Sequence, residues 1–257
     1  MEAEIVVSNL TKRYSNGTEA LKGVTLDVKR GDFFVLLGQN GAGKSTLIKV
    51  LTTLLDKDAG HFSIGGLNPE QQKTEIQRYL GVASQENEID PGEKVENLLT
   101  FQGKLFGLST PDAKLRTEEL INAFQLSGYR SKKAGILSGG NKRKLHCALA
   151  LVHRPHVLFL DEPTVGMDPL ARANFWEVIN QLNKKEQTTI FLTTQYLDEA
   201  DKNANTMAFI LDGKIVYDGT IHGFKSLVSK TDSMSLDESY LEFIKSFSEQ
   251  NTTNYSK

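Results

Sequence analysis

The stretch GQNGAGKST, residues 38–46, has the residue types and spacing to hold a phosphate. Gly38, Gly41 and Gly43 let the backbone curl until successive N–H groups point inward at anionic oxygens. Lys44 is spaced to reach the outer phosphates of a nucleotide, and the Ser45 hydroxyl to meet Mg²⁺. Gln39, Asn40, Ala42 and Thr46 complete the loop. The apolar run FFVLL (33–37) before it reads as a strand, and the residues after it read as a helix whose N-terminus adds partial positive charge. A chance glycine-rich turn lacks that strand–loop–helix setting.

A second chemical element is VLFLDE (157–162). Asp161 ends a four-residue apolar strand, where a carboxylate can act on a magnesium shell. Glu162, next in line, can orient and polarise a water beside a γ-phosphate. An acidic pair after a strand is ordinarily a solvated strand end; with a phosphate loop in the same chain it reads as the second half of a hydrolytic site. A third stretch, FLTTQYLDEA (191–200), runs from a buried strand into an acidic helix with Gln195 at the junction.

The elements that must position these residues follow from periodicity and turn chemistry. EIVVSNL and VTLDVKR read as strands separated by the turn cluster SNGTEA, and HFSIGG as another strand. Leu47, Val50, Leu51 and Leu54 fall at helical spacing after the phosphate loop. From about 86 to 153 three helical patterns follow one another and read as a helical insert, with Phe101, Phe106, Phe124 and Tyr129 mostly forming its core. Strand patterns return at 157–160 and in TTIFLTT. PLARANFWEVINQLNKK is a helix with Pro169 at its start, and TMAFILDGKIVYDG is a hairpin with an Asp-Gly turn. A short amphipathic helix is expected at about 236–249, and the last seven residues are expected to fray. The fold class is α/β: one domain over 1–257, with a mostly parallel core sheet, an N-terminal antiparallel β subdomain and the helical insert.

Composition narrows the function. The chain has 257 residues, 39% hydrophobic and 24% charged, which suits a globular protein with a sizeable core. A net charge of −2 from 30 basic and 32 acidic residues gives no electrostatic footprint for nucleic acid. The single cysteine, Cys147, rules out an internal disulfide and sits in an apolar helical run. His61, His146, His153, His156 and His222 show no metal-ligand spacing, and His153 and His156 read as structural. No run approaches the roughly 20 apolar residues of a membrane helix, and MEAEIVVSNL has no secretory pattern. Any membrane role is expected to be peripheral, at the cytoplasmic face.

LSGGNKRK (137–144) decides which phosphate-loop ATPase this resembles. It is similar to the signature of the ABC transporter ATPases, with Leu137, Ser138, Gly139 and Gly140 matching and Asn141 in place of the usual glutamine. Ser138 precedes Asp161 at a spacing the family shares. Tyr14 resembles the family's adenine-stacking aromatic. Gln85 resembles the Q-loop glutamine, which serves the metal and links nucleotide to partner. GMDP (166–169) resembles the D-loop, with Asp168 at its acidic position. The phrases VLTTLLDKDAG, QENEIDP, TTQYLDEAD and SLDESYLEFI resemble the daunorubicin-resistance type of drug-export ATPase.

The resemblance implies ATP and Mg²⁺ as cofactors. It implies two ATPase subunits head to tail, each nucleotide lying between one phosphate loop and the other subunit's Ser138, Gly139, Gly140 and Asn141. It implies a separate membrane subunit as partner, received in a groove beside the insert, and no nucleic acid. Whether the dimer is of like or unlike subunits, and what is carried, stay open. Soluble ABC ATPases of translation or DNA maintenance typically carry paired ATPase units, coiled-coil insertions or metal-binding cysteines, none of which is present. The basic residues of NKRK read as a solvated helix face, with Lys142 and Arg143 near enough to the signature to assist nucleotide.

Most of the family has a histidine where this chain has Gln195. Glutamine stays neutral and offers an amide donor and an oxygen acceptor, so it can hold a phosphate oxygen or a water but cannot carry a proton. Two readings follow. If the position serves positioning, Gln195 suffices with Glu162 as base. If it serves proton transfer, the protein is a nucleotide-binding regulator with weak hydrolysis. Site completeness favours the first.

Overall fold

The computed structural model describes residues 2–84, 89–228 and 234–254, with side chains to residue 246. Nine strands and nine α-helices are described. The strands are β1 (Ala3–Arg13), β2 (Glu19–Lys29), β3 (Phe33–Leu37), β4 (Ala59–Ile64), β5 (Leu80–Ala83), β6 (Val157–Asp161), β7 (Thr189–Thr193), β8 (Thr206–Leu211) and β9 (Lys214–Thr220). The helices are α1 (Lys44–Leu51), α2 (Lys73–Tyr79), α3 (Val95–Leu105), α4 (Thr110–Ala123), α5 (Gly139–Leu151), α6 (Pro169–Glu186), α7 (Leu197–Asn203), α8 (Ile221–Val228) and α9 (Leu236–Asn254).

Six strands form the central sheet in the order β5-β6-β7-β3-β8-β9, and three form a second sheet, β2-β1-β4. The second sheet is antiparallel throughout. In the central sheet only the β8–β9 pair is antiparallel. Strands β3, β6 and β7 are buried at every position. Their continuous apolar runs suit parallel strands covered on both faces. Within β3, Phe33, Val35 and Leu37 enter a core shared with the insert helices, α6 and α9, while Phe34 and Leu36 enter one shared with α1 and the antiparallel sheet.

The α/β class, the antiparallel N-terminal sheet and the Asp-Gly hairpin agree with the sequence. Asp212 and Gly213 both have positive φ (46° and 74°), the backbone that a two-residue hairpin of this type requires. The helices expected between 86 and 153 are α3, α4 and α5. Three expectations need correction. Helix α1 stops at Leu51 because Thr53 takes φ 62° and the amides of Leu54 and Leu55 fold back on the Lys49 carbonyl. Leu54 therefore leaves the apolar face and is 67% exposed. Of the insert aromatics only Phe124 is fully buried, and Phe101 is 66% exposed. Helix α9 runs on to Asn254, so residues 251–254 are helical rather than frayed. It begins in a reciprocal cap: Ser235 Oγ accepts from the Glu238 amide and Glu238 Oε2 accepts from the Ser235 amide.

Candidate nucleotide site

Residues 38–43 leave the C-terminal end of β3 and turn directly into α1. Two glycines are required by close approach. A Cβ on Gly38 would sit 2.5 Å from the Ile210 carbonyl oxygen, and one on Gly43 would sit 2.5 Å from the Ala20 carbonyl oxygen, with φ at Gly43 already 112°. The loop is pinned from outside as well: the Gly213 amide donates to the Ala42 carbonyl at 3.0 Å, and the Lys22 amide to the Gly213 carbonyl at 2.8 Å. The β8–β9 hairpin and strand β2 thus brace it.

Lys44 is buried, and its Nζ donates to the carbonyls of Gly38 (2.7 Å) and Gln39 (3.0 Å). Burial lowers its pKa, while the carboxylates of Glu162 and Asp161 pull the other way. The ammonium is therefore short of anionic partners, as a phosphate-binding lysine should be. Ser45, next to it, is exposed. Both line a cleft of about 680 Å³, which also takes in Tyr14, Asn40, Gly41, Gly43, Thr46, Glu162 and Gln195. Tyr14 follows β1, and its hydroxyl lies 3.1 Å from Thr46 Oγ1, which holds the ring at the cleft wall.

The acidic pair ends β6. Asp161 is buried and accepts a hydrogen bond from Thr193 Oγ1 on the neighbouring β7. Glu162 continues the ladder by one bond, its amide donating to the Thr193 carbonyl at 3.0 Å. It does so at φ 48°, a left-handed conformation that glutamate adopts only under local constraint. Its half-buried side chain turns into the cleft. Gln195 lies between β7 and α7, exposed on the same cleft. Residues 157–162 and 189–195 are far apart in the sequence, and parallel pairing of β6 with β7 brings their ends together.

The signature residues lie elsewhere. Ser138 caps α5, its Oγ accepting from the Asn141 amide at 3.4 Å. Ser138 and Gly139 are exposed, Gly140 and Asn141 partly so, and none of the four lines the cleft. Asp168 caps α6, its Oδ1 accepting from the Ala171 amide at 2.9 Å, and it too is exposed and outside the cleft. Gln85 lies outside the described residues.

The NKRK segment departs from its reading as a solvated face. Lys144 is 7% exposed, and Arg143 reaches back to donate to the Ser84 carbonyl at 3.1 Å. The four polar letters hid a segment that is half-buried at residues 141–143 and buried at Lys144. Cys147 is buried, its thiol pushed up to about 12 by desolvation, which makes it unreactive. His153 Nε2 donates to the Leu80 carbonyl at 2.9 Å and its ring stacks on Phe106, and His156 stacks on Tyr79, both packing roles. Thr18, Glu19, Ala20, Asp212 and Gly213 also line the cleft; the sequence marks Asp212 and Gly213 as a turn but none of the five as part of a site. Only the fold brings the two hairpins to the phosphate loop, so no local pattern identifies them.

A parallel sheet, a glycine loop at the end of β3 and carboxylates at the end of β6 define a phosphate-loop nucleotide hydrolase. The family model described as ABC transporter matches residues 21–165. The chain is 40% identical to the daunorubicin/doxorubicin resistance ATP-binding protein DrrA of Streptomyces peucetius, over 86% of this chain and 67% of the relative. It is 38% identical to Nod factor export ATP-binding protein I of Burkholderia orbicola, over 86% of this chain and 72% of the relative. A solved ATP-binding subunit of an ABC transporter superposes with a TM-score of 0.84 at 27% identity, covering 93% of this chain and 98% of its own. The chain belongs to the ABC transporter family and is an ATP-binding, ATP-hydrolysing subunit of that family.

Proposed function

We propose that this chain powers the export of a drug or other small amphiphile through a separate membrane subunit, and that it works as a nucleotide-sandwich dimer. The observation that carries the reading is the division of the machinery. Lys44, Ser45, Glu162 and Gln195 share one cleft, whereas Ser138, Gly139 and Asp168 are exposed outside it, with Gly140 and Asn141 partly exposed beside them. A second copy, or a similar ATPase subunit, can complete the cleft with its signature. There the N-terminus of α5 offers amides to anionic oxygens.

Within the cleft, Tyr14 stacks on adenine and residues 38–46 hold the phosphates. Glu162 orients and deprotonates the attacking water. Gln195 holds a γ-phosphate oxygen or that water by its amide. Mg²⁺, held by Ser45 and Asp161 with Gln85, would neutralise the phosphate charge that builds during transfer. The donors present are hard oxygens of the kind that ion takes: the Ser45 hydroxyl on the cleft and the Asp161 carboxylate at the end of β6. Mg²⁺ ordinarily binds through one or two protein oxygens, substrate phosphates and water.

The relatives' names carry chemically unlike cargoes, which supports placing cargo choice in the membrane subunit. Among the described residues no helix is long and apolar enough to cross a membrane, in keeping with a peripheral place at its cytoplasmic face. Exposed Phe101 and Leu105, one turn apart on α3, are candidates for the contact with that subunit.

Steady-state Mg-ATP hydrolysis by the purified chain tests the reading. Glu162→Gln is expected to lower kcat by roughly 10²–10⁴, the range for loss of a general base. Gln195→Ala is expected to lower it by about tenfold or more through loss of one positioned donor. Wild-type turnover no faster than that of Glu162→Gln would instead favour the regulator.

A further inference from the structure

The loop that carries Gln195 has no rigid element of its own, since it is only the link between β7 and α7. A glutamine that works by positioning needs its backbone held. The observation that answers this need is a buried carboxylate on the next helix. Glu199 is 2% exposed, yet it packs none of its charge against solvent. Its Oε1 accepts from Thr164 Oγ1 at 2.7 Å, and its Oε2 accepts from Thr194 Oγ1 at 3.1 Å. Arg172 Nε lies 3.4 Å from Oε1, and the Arg172 guanidinium lies 4.2 Å over the ring of Tyr196. Thr194 Oγ1 in turn accepts from the Tyr196 amide at 3.0 Å.

Each partner adjoins a residue of the site. Thr164 is two residues after Glu162, Thr194 immediately precedes Gln195, and Arg172 stands one helical turn after Asp168, to whose carbonyl its amide bonds at 3.0 Å. One carboxylate therefore fastens three segments: the turn holding the base, the loop holding Gln195, and the start of α6 behind Asp168. Burying a charge this way is costly, and a hydrophobic cluster would stabilise the fold at least as well. Charge-assisted bonds from two hydroxyls, with the arginine beside them as an ion pair, instead fix direction.

We propose that Glu199, with Thr164, Thr194 and Arg172, is a positioning residue for hydrolysis: it sets the distance between Glu162 and Gln195 without touching nucleotide. This rests on the reading of Gln195 as a contact to the γ-phosphate or the attacking water.

The test is steady-state Mg-ATP hydrolysis, with kcat and KM separated, for wild type, Gln195→Ala, Glu199→Gln and the double variant. Glu199→Gln keeps the shape and an acceptor while removing the charge. It is expected to lower kcat by about tenfold, the scale of a small misplacement of reacting groups, and to leave KM within about twofold. The double variant is expected to be no slower than the slower single one, because both act through one position. Thr194→Val should reproduce the loss and Thr194→Ser should restore it, which keeps the inference open to test if Glu199→Gln melts early. Wild-type kcat in Glu199→Gln beside a slow Gln195→Ala overturns the inference and leaves the role of Gln195 standing. Losses that multiply in the double variant also overturn it. Wild-type kcat in Gln195→Ala overturns the underlying reading, and this inference with it.

Discussion

Single residues in this chain carry costs that only a site explains. Gly43 combines a left-handed backbone with a carbonyl where a Cβ would go. Gly43→Ala is expected to lose nucleotide binding and to destabilise the fold by about 2 kcal/mol or more, since strain and clash add. Titration with a fluorescent ATP analogue, beside urea unfolding, checks both. Two histidines predict a pH response. Burial is the first cause lowering the pKa of both His146 and His153. A depressed histidine is neutral in both states above about pH 6.5, so it is silent there. Below that value the unfolded chain takes up the proton first, and stability falls as the medium is acidified. His153→Gln, which can still meet the Leu80 carbonyl, is expected to reduce the fall in melting temperature between pH 7 and 5.

At the scale of elements, the insert is bolted to the core by a buried ion pair. Arg116 of α4 is 4% exposed and makes two parallel bonds to Glu186, the last residue of α6, at 2.8 and 3.0 Å, with a third to the Leu151 carbonyl. Arg116→Ala would strand a buried carboxylate and is expected to cost about 3–5 kcal/mol in chemical denaturation. Arg116→Met with Glu186→Leu is expected to recover most of it, because the pair contributes orientation more than net stability. This scale also separates what could be read from letters from what could not. The phosphate loop and the Asp-Gly turn were legible because each is fixed by neighbours within a few residues. The end of α1 was not, because the left-handed Thr53 is set by the packing around it. Lys144 was misread because polar letters describe a side chain and not the helix face it occupies. The Glu199 cluster joins residues 164, 172, 194 and 199 across two strands' ends, and no spacing announces it.

For the whole molecule, the proposed dimer makes a sharp distinction between holding a nucleotide and closing on it. Ser138→Arg alters a residue that lies outside the chain's own cleft. It is expected to leave the ATP affinity of the monomer within about twofold while abolishing the ATP-induced dimer that Glu162→Gln should accumulate. Light scattering in the Glu162→Gln background, with and without the second change, checks this.

Strand β3 gives the molecule one more property. Its side chains are divided between two cores, and its edges are taken by β7 and β8. It has no free face and no free edge, so it cannot slide or tilt without disturbing both layers. The loop at its end is therefore mechanical ground. A change at the nucleotide is expected to be taken up by the elements around β3 rather than by β3 itself.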